Sequence, residues 1–266
     1  MKSYKLGVIG AGFMATALIK GAIESGVLFA NEIFVTDLSN DALDRISTLG
    51  VIVTGDVKEL VDNSKFVLFA VKPQNLNDVL LAIKDCSCEK FISIMAGVKK
   101  QKIKAVFNNA KIARCMPNTP CSIGCGAVGL DVSDFSSEDS KFIIDLLQSI
   151  ASVSLVGEDK LNAVTGISGS APAYFYLFLK SVIDAGVKNG LSYEEAKKLA
   201  TSTMIGAGKM VEQNPEKSIE QLIDAVCSKG GTTIEAVKVY KESGLFDISD
   251  RAVNACVKRS FELENL

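Results

Sequence analysis

Histidine is absent from this 266-residue chain. That absence removes every serine–histidine or cysteine–histidine nucleophile pair, every histidine-ligated metal and any histidine acid or base. Most hydrolase chemistries fall with it. An excess of one charge is missing too: 29 basic against 31 acidic residues leave a net charge of −2, so no basic field draws the chain onto nucleic acid. Uninterrupted apolar runs of membrane length are also lacking. The longest uncharged stretch, Leu161 to Leu179, carries Asn162, Thr165, Ser168, Ser170 and Pro172, and reads as a buried helix of a soluble protein rather than a span. Paired C-x2-C spacing is lacking among the cysteines (Cys86, Cys88, Cys115, Cys121, Cys125, Cys227, Cys256). An odd set spread over a long chain predicts reduced thiols, a cytoplasmic location and no metal site.

With 48% hydrophobic and 23% charged residues, the chain has the length and composition for one to two domains with substantial cores. Lys2 and Lys5 before the apolar run Leu6–Ile19, with Ala15-Thr16-Ala17, imitate a secretion signal. The glycine pattern within that run explains it better. From Tyr4 to Val156 short apolar runs recur: Lys5–Ile9, Ile33–Thr36, Val51–Thr54, Phe66–Val71, Phe91–Met95, Lys111–Cys115 and Ser152–Val156 read as strands. Met14–Ser25, Asp41–Thr48 and Leu76–Lys84 read as helices between them, and this alternation predicts a doubly wound, mostly parallel sheet. After Gly157 strand signals cease, and Ser170–Asn189, Tyr193–Gln213, Ile219–Val226, Thr233–Glu242 and Phe246–Glu262 carry helical periodicity. The expected organisation is α/β over residues 1–158 and an all-α helical domain over 159–266. Apolar stripes on the helices have no sheet to cover, which predicts a homodimer at least.

Gly10-Ala11-Gly12-Phe13-Met14-Ala15 follows a strand and opens a helix, the context that a dinucleotide-binding turn requires. Asp37 ends the next strand, where an acid binds the adenosine ribose. Three further segments leave carboxyl ends of later strands: Ala70-Val71-Lys72-Pro73, Met95-Ala96-Gly97 and Met116-Pro117-Asn118-Thr119-Pro120. Taken singly, Lys72 is equally a solvated loop lysine and the Pro-x-x-Pro segment a rigid turn. Their shared rim favours a cofactor site, with the 71–73 backbone along the cofactor and Asn118 near the nicotinamide. In the helical half, Ser228-Lys229-Gly230-Gly231-Thr232-Thr233 precedes a helix and offers free N–H groups as a carboxylate cradle. The same residues also read as an interhelical turn capped by Thr232.

These segments, together with Val164–Tyr174 and Asp224–Val237, resemble pyrroline-5-carboxylate reductases from about residue 5 to 262. The resemblance implies a Rossmann-type domain followed by a helical dimerisation domain, and reduction of Δ1-pyrroline-5-carboxylate to L-proline by NAD(P)H. It further implies that Ser228, Gly230, Gly231 and Thr232 hold the substrate carboxylate, that Thr233 hydrogen-bonds the imine nitrogen as the catalytic residue, and that Val164–Ser170 supports that loop. An imine of near-neutral basicity brings its own proton, which suits a chain without histidine. The family usually has proline where Lys229 stands, and its NADPH-using members commonly carry serine or threonine where this chain has Asp37. The carboxylate favours NADH over NADPH.

Two other functions fit parts of this pattern. A β-hydroxyacid dehydrogenase needs a catalytic lysine about four residues after a glycine-rich helix turn, whereas no lysine follows Gly169 before Lys180. A non-catalytic dinucleotide sensor would keep the fold and lose turnover.

Overall fold

A computed structural model describes residues 3–264. Lys2 and the outermost residues of the two expected domains, 1–2 and 265–266, lie outside the described residues. The elements run β1 (Tyr4–Ile9), α1 (Phe13–Glu24), β2 (Ile33–Thr36), α2 (Asn40–Ser47), β3 (Ile52–Val53), α3 (Val57–Asn63), β4 (Ser64–Phe69) and α4 (Leu76–Ile83). Then follow β5 (Lys90–Ser93), α5 (Lys100–Lys104), β6 (Lys111–Met116), β7 (Gly126–Asp131), α6 (Ser137–Gln148) and β8 (Ala151–Leu155). The helical part comprises α7 (Leu161–Val164), a π turn over Thr165–Gly169, α8 (Ala171–Lys188), α9 (Tyr193–Glu212), α10 (Ile219–Val226), α11 (Thr232–Glu242) and α12 (Leu245–Leu263).

The sheet order is β3-β2-β1-β4-β5-β6-β7-β8, a doubly wound Rossmann-type order with two strands added at one edge. β1 to β6 pair in parallel, β7 runs antiparallel to β6, and β8 is parallel to β7. One face buries Leu6, Val8, Ile33 and Val35 against α1, α2 and α6; the other buries Ile9, Val67, Phe69 and Phe91 against α3, α4 and α5. Successive strand residues thus point to opposite cores, and burial on both faces is why these strands read as continuous apolar runs.

The first expectation to be corrected concerns Leu161–Leu179. It is helical throughout most of its length but buried only in part: Leu161, Asn162 and Ala171 are buried, whereas Ile167, Phe175, Tyr176, Leu177 and Phe178 are exposed. Sequence polarity does not reveal which apolar faces a chain covers by itself. No helix among the described residues is long and apolar enough to cross a membrane.

Two compact units emerge, Met1–Pro172 with Cys256–Leu266, and Ala173–Ala255. Strand structure ends at Leu155, and compactness divides the chain further along, after Pro172. In the second unit Ile183 and Ala196 are the fully buried apolar residues. Between α8 and α9 lies an open groove of about 660 Å³ lined by side chains such as Phe178, Leu199 and Met204.

Candidate active site

In the first unit every segment expected to meet a dinucleotide lies at the carboxyl end of a parallel strand, around the point where strand order reverses between β1 and β4. Gly10 takes φ +103° and donates its N–H to Thr36 O at 2.8 Å. A Cβ there would stand 2.7 Å from the carbonyl oxygen of Ala70, so only glycine allows this approach of the turn to the segment after β4. Gly12 is the N-cap of α1; no side chain caps it and the first turn holds no acidic residue. Nothing lies within 4 Å of where its Cβ would be. The positive end of α1 therefore faces open space with its first N–H groups lacking a side-chain cap, which fits a pyrophosphate. Phe13 is exposed beside it and Met14 half-buried.

Asp37 follows β2 directly. Its Oδ2 accepts from the Ala11 N–H at 2.7 Å and its Oδ1 from the Ser39 N–H at 2.8 Å, which holds the carboxylate beside the glycine-rich turn. Ser39 caps α2, and Arg45 sits in that helix's last turn. Ala70 donates its N–H to Ile9 O at 2.9 Å. Lys72 is exposed and Pro73 opens a single 3-10 turn. Gly97 takes φ +71° with Ala96 half-buried before it.

Asn118 uses both ends of its amide within the protein: Oδ1 accepts from Ala127 N–H at 3.0 Å, and Nδ2 donates to Ser168 O at 3.4 Å. It ties β7 and the π turn to the end of β6; Oδ1 also accepts from the Cys121 thiol at 3.8 Å, so one N–H of the amide is what remains for a ligand. The Ser168 hydroxyl beside it is buried without a hydrogen-bond partner. Burial pushes the Cys115 thiol up to about 12, so it packs as a small neutral group. Cys121 is likewise raised, chiefly by burial.

In the second unit the segment Ser228–Thr233 forms a turn with Gly231 N–H donating to Ser228 O at 3.0 Å. Gly230, not Gly231, takes the positive φ of +74°. The N-cap of α11 is Gly231, at φ −80° and ψ 167°, with no side-chain cap. The expected cap, Thr232, is instead the first helical residue, because glycine adopts the extended cap conformation while the adjoining threonines begin the helix. Ser228, Lys229, Gly230, Thr232 and Thr233 are exposed and Gly231 half-buried within this unit. The α11 amino end thus presents N–H groups without a side-chain cap, with Lys229 and Glu235 contributing opposite charges nearby.

Sequence reasoning missed Arg114, which stands in β6 with its side chain 5% exposed and paired to Glu158 and Glu264. An arginine within the apolar run Lys111–Met116 was the available signal.

Residues 158–263 match the family model described as pyrroline-5-carboxylate reductase dimerisation, and residues 5–97 match one described as NADP oxidoreductase, coenzyme F420-dependent. The chain is 36% identical over 264 residues to a pyrroline-5-carboxylate reductase of Pisum sativum, covering 98% of this chain and 96% of that one. A solved pyrroline-5-carboxylate reductase from Coxiella burnetii superposes with TM-score 0.92 at 33% identity, covering 98% of each chain. The pyrroline carboxylate reductase of Plasmodium falciparum, solved with NADP bound, gives TM-score 0.85 at 31% identity over 99% of each chain.

Proposed function

The chain belongs to the pyrroline-5-carboxylate reductase family, and from this membership we propose how its residues divide the work. The protein is an oxidoreductase that reduces the C=N bond of Δ1-pyrroline-5-carboxylate to L-proline in proline biosynthesis, using a nicotinamide cofactor. The observation that carries the residue-level account is the uncapped amino end of α1 at Gly12, with the Asp37 carboxylate fixed beside it.

The bound cofactor supplies a hydride. Gly10, Ala11, Gly12, Phe13 and Met14 receive its pyrophosphate, and Asp37 accepts hydrogen bonds from its adenosine ribose. Ala70, Val71, Lys72 and Pro73 lie along it, while Ala96, Gly97 and Asn118 surround its nicotinamide end. Asp37 makes NADH the preferred form. The carboxylate cannot share the ribose with a 2′-phosphate without charge repulsion, and Ser39 and Ala11 hold it in place.

Ser228, Gly230, Gly231 and Thr232 bind the substrate carboxylate through the α11 amino end, and the Thr233 hydroxyl holds the imine nitrogen. The nitrogen arrives with its own proton, so the protein's contribution is orientation and electrostatics. Residues 1–158 serve the cofactor, and 159–266 serve substrate and assembly. The protein forms a homo-oligomer, for which we propose a two-fold dimer built on the uncovered helices. Cys115, Cys121, Cys125, Cys227 and Cys256 carry free thiols, which supports a reducing compartment, the cytoplasm.

Following NADH absorbance with and without pyrroline-5-carboxylate tests the account. Substrate-dependent oxidation upholds it; cofactor binding with no turnover would make the protein a sensor instead.

A further inference from the structure

The first unit buries a chain of charges that the cofactor and substrate residues do not use. Arg114 donates from Nη2 to Glu264 Oε1 at 2.9 Å and from Nη1 to Glu158 Oε1 at 3.3 Å. That same Glu158 oxygen accepts the Lys100 N–H at 2.7 Å. The other oxygen of Glu264 pairs with Lys99 Nζ at 3.2 Å, and the Glu264 side chain is only 2% exposed. Glu264 therefore holds both Arg114 on β6 and Lys99 at the end of the segment after β5.

An independent contact ties the same two regions together. Gly97 lies so close to the last turn of α12 that a Cβ on it would stand 3.1 Å from Leu263 Cβ and 3.3 Å from the Leu263 carbonyl carbon. This end of α12 is itself anchored, by Ser260 Oγ donating to Asn162 Oδ1 at 2.6 Å and by Cys256 Sγ against Ser170 Oγ at 3.3 Å. Segment 95–100 is thereby braced at three points: Gly97 by Leu263, Lys99 by Glu264, and the Lys100 amide by Glu158. A loop that is not regular secondary structure keeps one shape only where its surroundings determine it.

We propose that Glu264 is a positioning residue for the dinucleotide, acting through Arg114, Lys99 and the Leu263–Gly97 contact to hold the Ala96–Gly97 loop in its cofactor-binding shape. This rests on the reading of Ala96 and Gly97 as cofactor residues. The Glu264 side chain touches neither substrate nor cofactor in this role; it sets the backbone that does. A buried charged pair is a poor source of net stability but a strong constraint on geometry, because removing one partner leaves the other charge uncompensated.

The test uses the full-length protein and Glu264→Gln, which keeps the shape and removes the charge. We expect the NADH Kd, read from nicotinamide fluorescence, to rise five- to tenfold, and amide exchange at residues 96–100 without cofactor to quicken at least fivefold. At saturating NADH, kcat should stay within twofold while KM for NADH rises. Ser260→Ala loosens the same end of α12 without altering charge, and should raise Kd two- to threefold; it decides the matter if Glu264→Gln does not fold. Lys141→Met, which breaks the distant exposed pair with Asp145, should change nothing. A folded Glu264→Gln with wild-type Kd and exchange overturns the proposal, as does an unchanged Ser260→Ala if the first variant is lost. Failure of the wild type to bind NADH or NADPH would instead defeat the cofactor reading itself.

Discussion

The Asp37 carboxylate and the Ala11 amide are joined by a 2.7 Å hydrogen bond that ties the end of β2 to the glycine-rich turn after β1. On the function proposed above, the bond holds a negative charge where the adenosine ribose would bind. A 2′-phosphate about 4 Å away would meet repulsion of roughly 4 kcal/mol per unit charge at an effective dielectric near 20. Even a quarter of that favours NADH about fivefold. The nearest cation on α2, Arg45, stands at the opposite end of that helix. We expect higher kcat/KM with NADH than with NADPH, and a shift of about tenfold or more toward NADPH in Asp37→Ser. A wild type that prefers NADPH, or a ratio that the substitution leaves unmoved, would show that selectivity lies elsewhere.

Thr233→Ala should lower kcat by about ten- to a hundredfold and weaken substrate binding, while leaving cofactor affinity within about twofold, because the hydroxyl is proposed to serve only the imine. Steady-state kinetics with each ligand varied will show it. Unaltered turnover would remove Thr233 from the mechanism.

The neighbouring glycines should respond differently. Gly230→Ala puts a side chain at φ +74°, costing about 1 kcal/mol of backbone strain. Gly231→Val has an ordinary φ but places a Cβ about 2.5 Å from Ser228 Oγ, so it displaces the turn and closes the cradle. Gly231→Val should therefore lose substrate binding more completely than Gly230→Ala, measured as KM for pyrroline-5-carboxylate.

Light scattering at micromolar concentration should give a dimer or larger. Side chains such as Phe175, Tyr176, Leu177 and Phe246 are exposed in the single chain, and contiguous apolar surface of this kind marks an interface. A monomeric mass would refute the dimer. Placing a charge on the groove, as in Met204→Glu, should dissociate it.

Acid should unfold the first unit through its buried carboxylates. Asp131 and Asp134 are pushed up by burial but carried below the usual range by hydrogen bonds and by Lys100 and Lys104. Glu264 is lowered on the same balance: burial pushes it up, and hydrogen bonds and charge from Arg114, Asn162 and Lys99 together carry it down. A depressed folded-state pKa contributes stability that is present above the unfolded value of about 4 and lost as pH falls through the folded one. Lys100 pairs with Asp131 at 2.9 Å, both nearly fully buried. Lys100→Met should cost about 3 kcal/mol at pH 7 and progressively less as pH falls through the lowered folded-state values of the aspartates, where they take up protons. Denaturant melts at both pH values will separate this from a simple loss of packing, which would be independent of pH.

How much was legible beforehand follows from which forces act locally. The turn at Gly10–Ala15 and the strand Ile33–Thr36 announce themselves, because a tight turn demands glycine and a strand buried on both faces demands a short apolar run. β7 escaped notice since Gly126 and Gly129 interrupt its pattern, and its pairing partner is set by tertiary contact rather than by alternation. Val51–Thr54 looked like a strand, yet only Ile52–Val53 pair, at the sheet's edge where both side chains are exposed. Phe66–Val71 was placed late by two residues; Ala70 and Val71 are apolar because they pack against the two cores just beyond the end of β4. The role of Arg114 was hidden because its partner Glu264 lies 150 residues away.

The return of Cys256–Glu264 to the first unit carries a consequence for synthesis. A chain emerging from a ribosome completes all eight strands of the sheet by Leu155, but that unit still lacks the helical turns that meet Gly97 and neutralise Arg114. Through the next hundred or so residues of translation, at about 5–20 residues per second, Arg114 lacks one of its two carboxylate partners. Completion of the first unit therefore waits on synthesis of the far end of α12, about a hundred residues after its last strand.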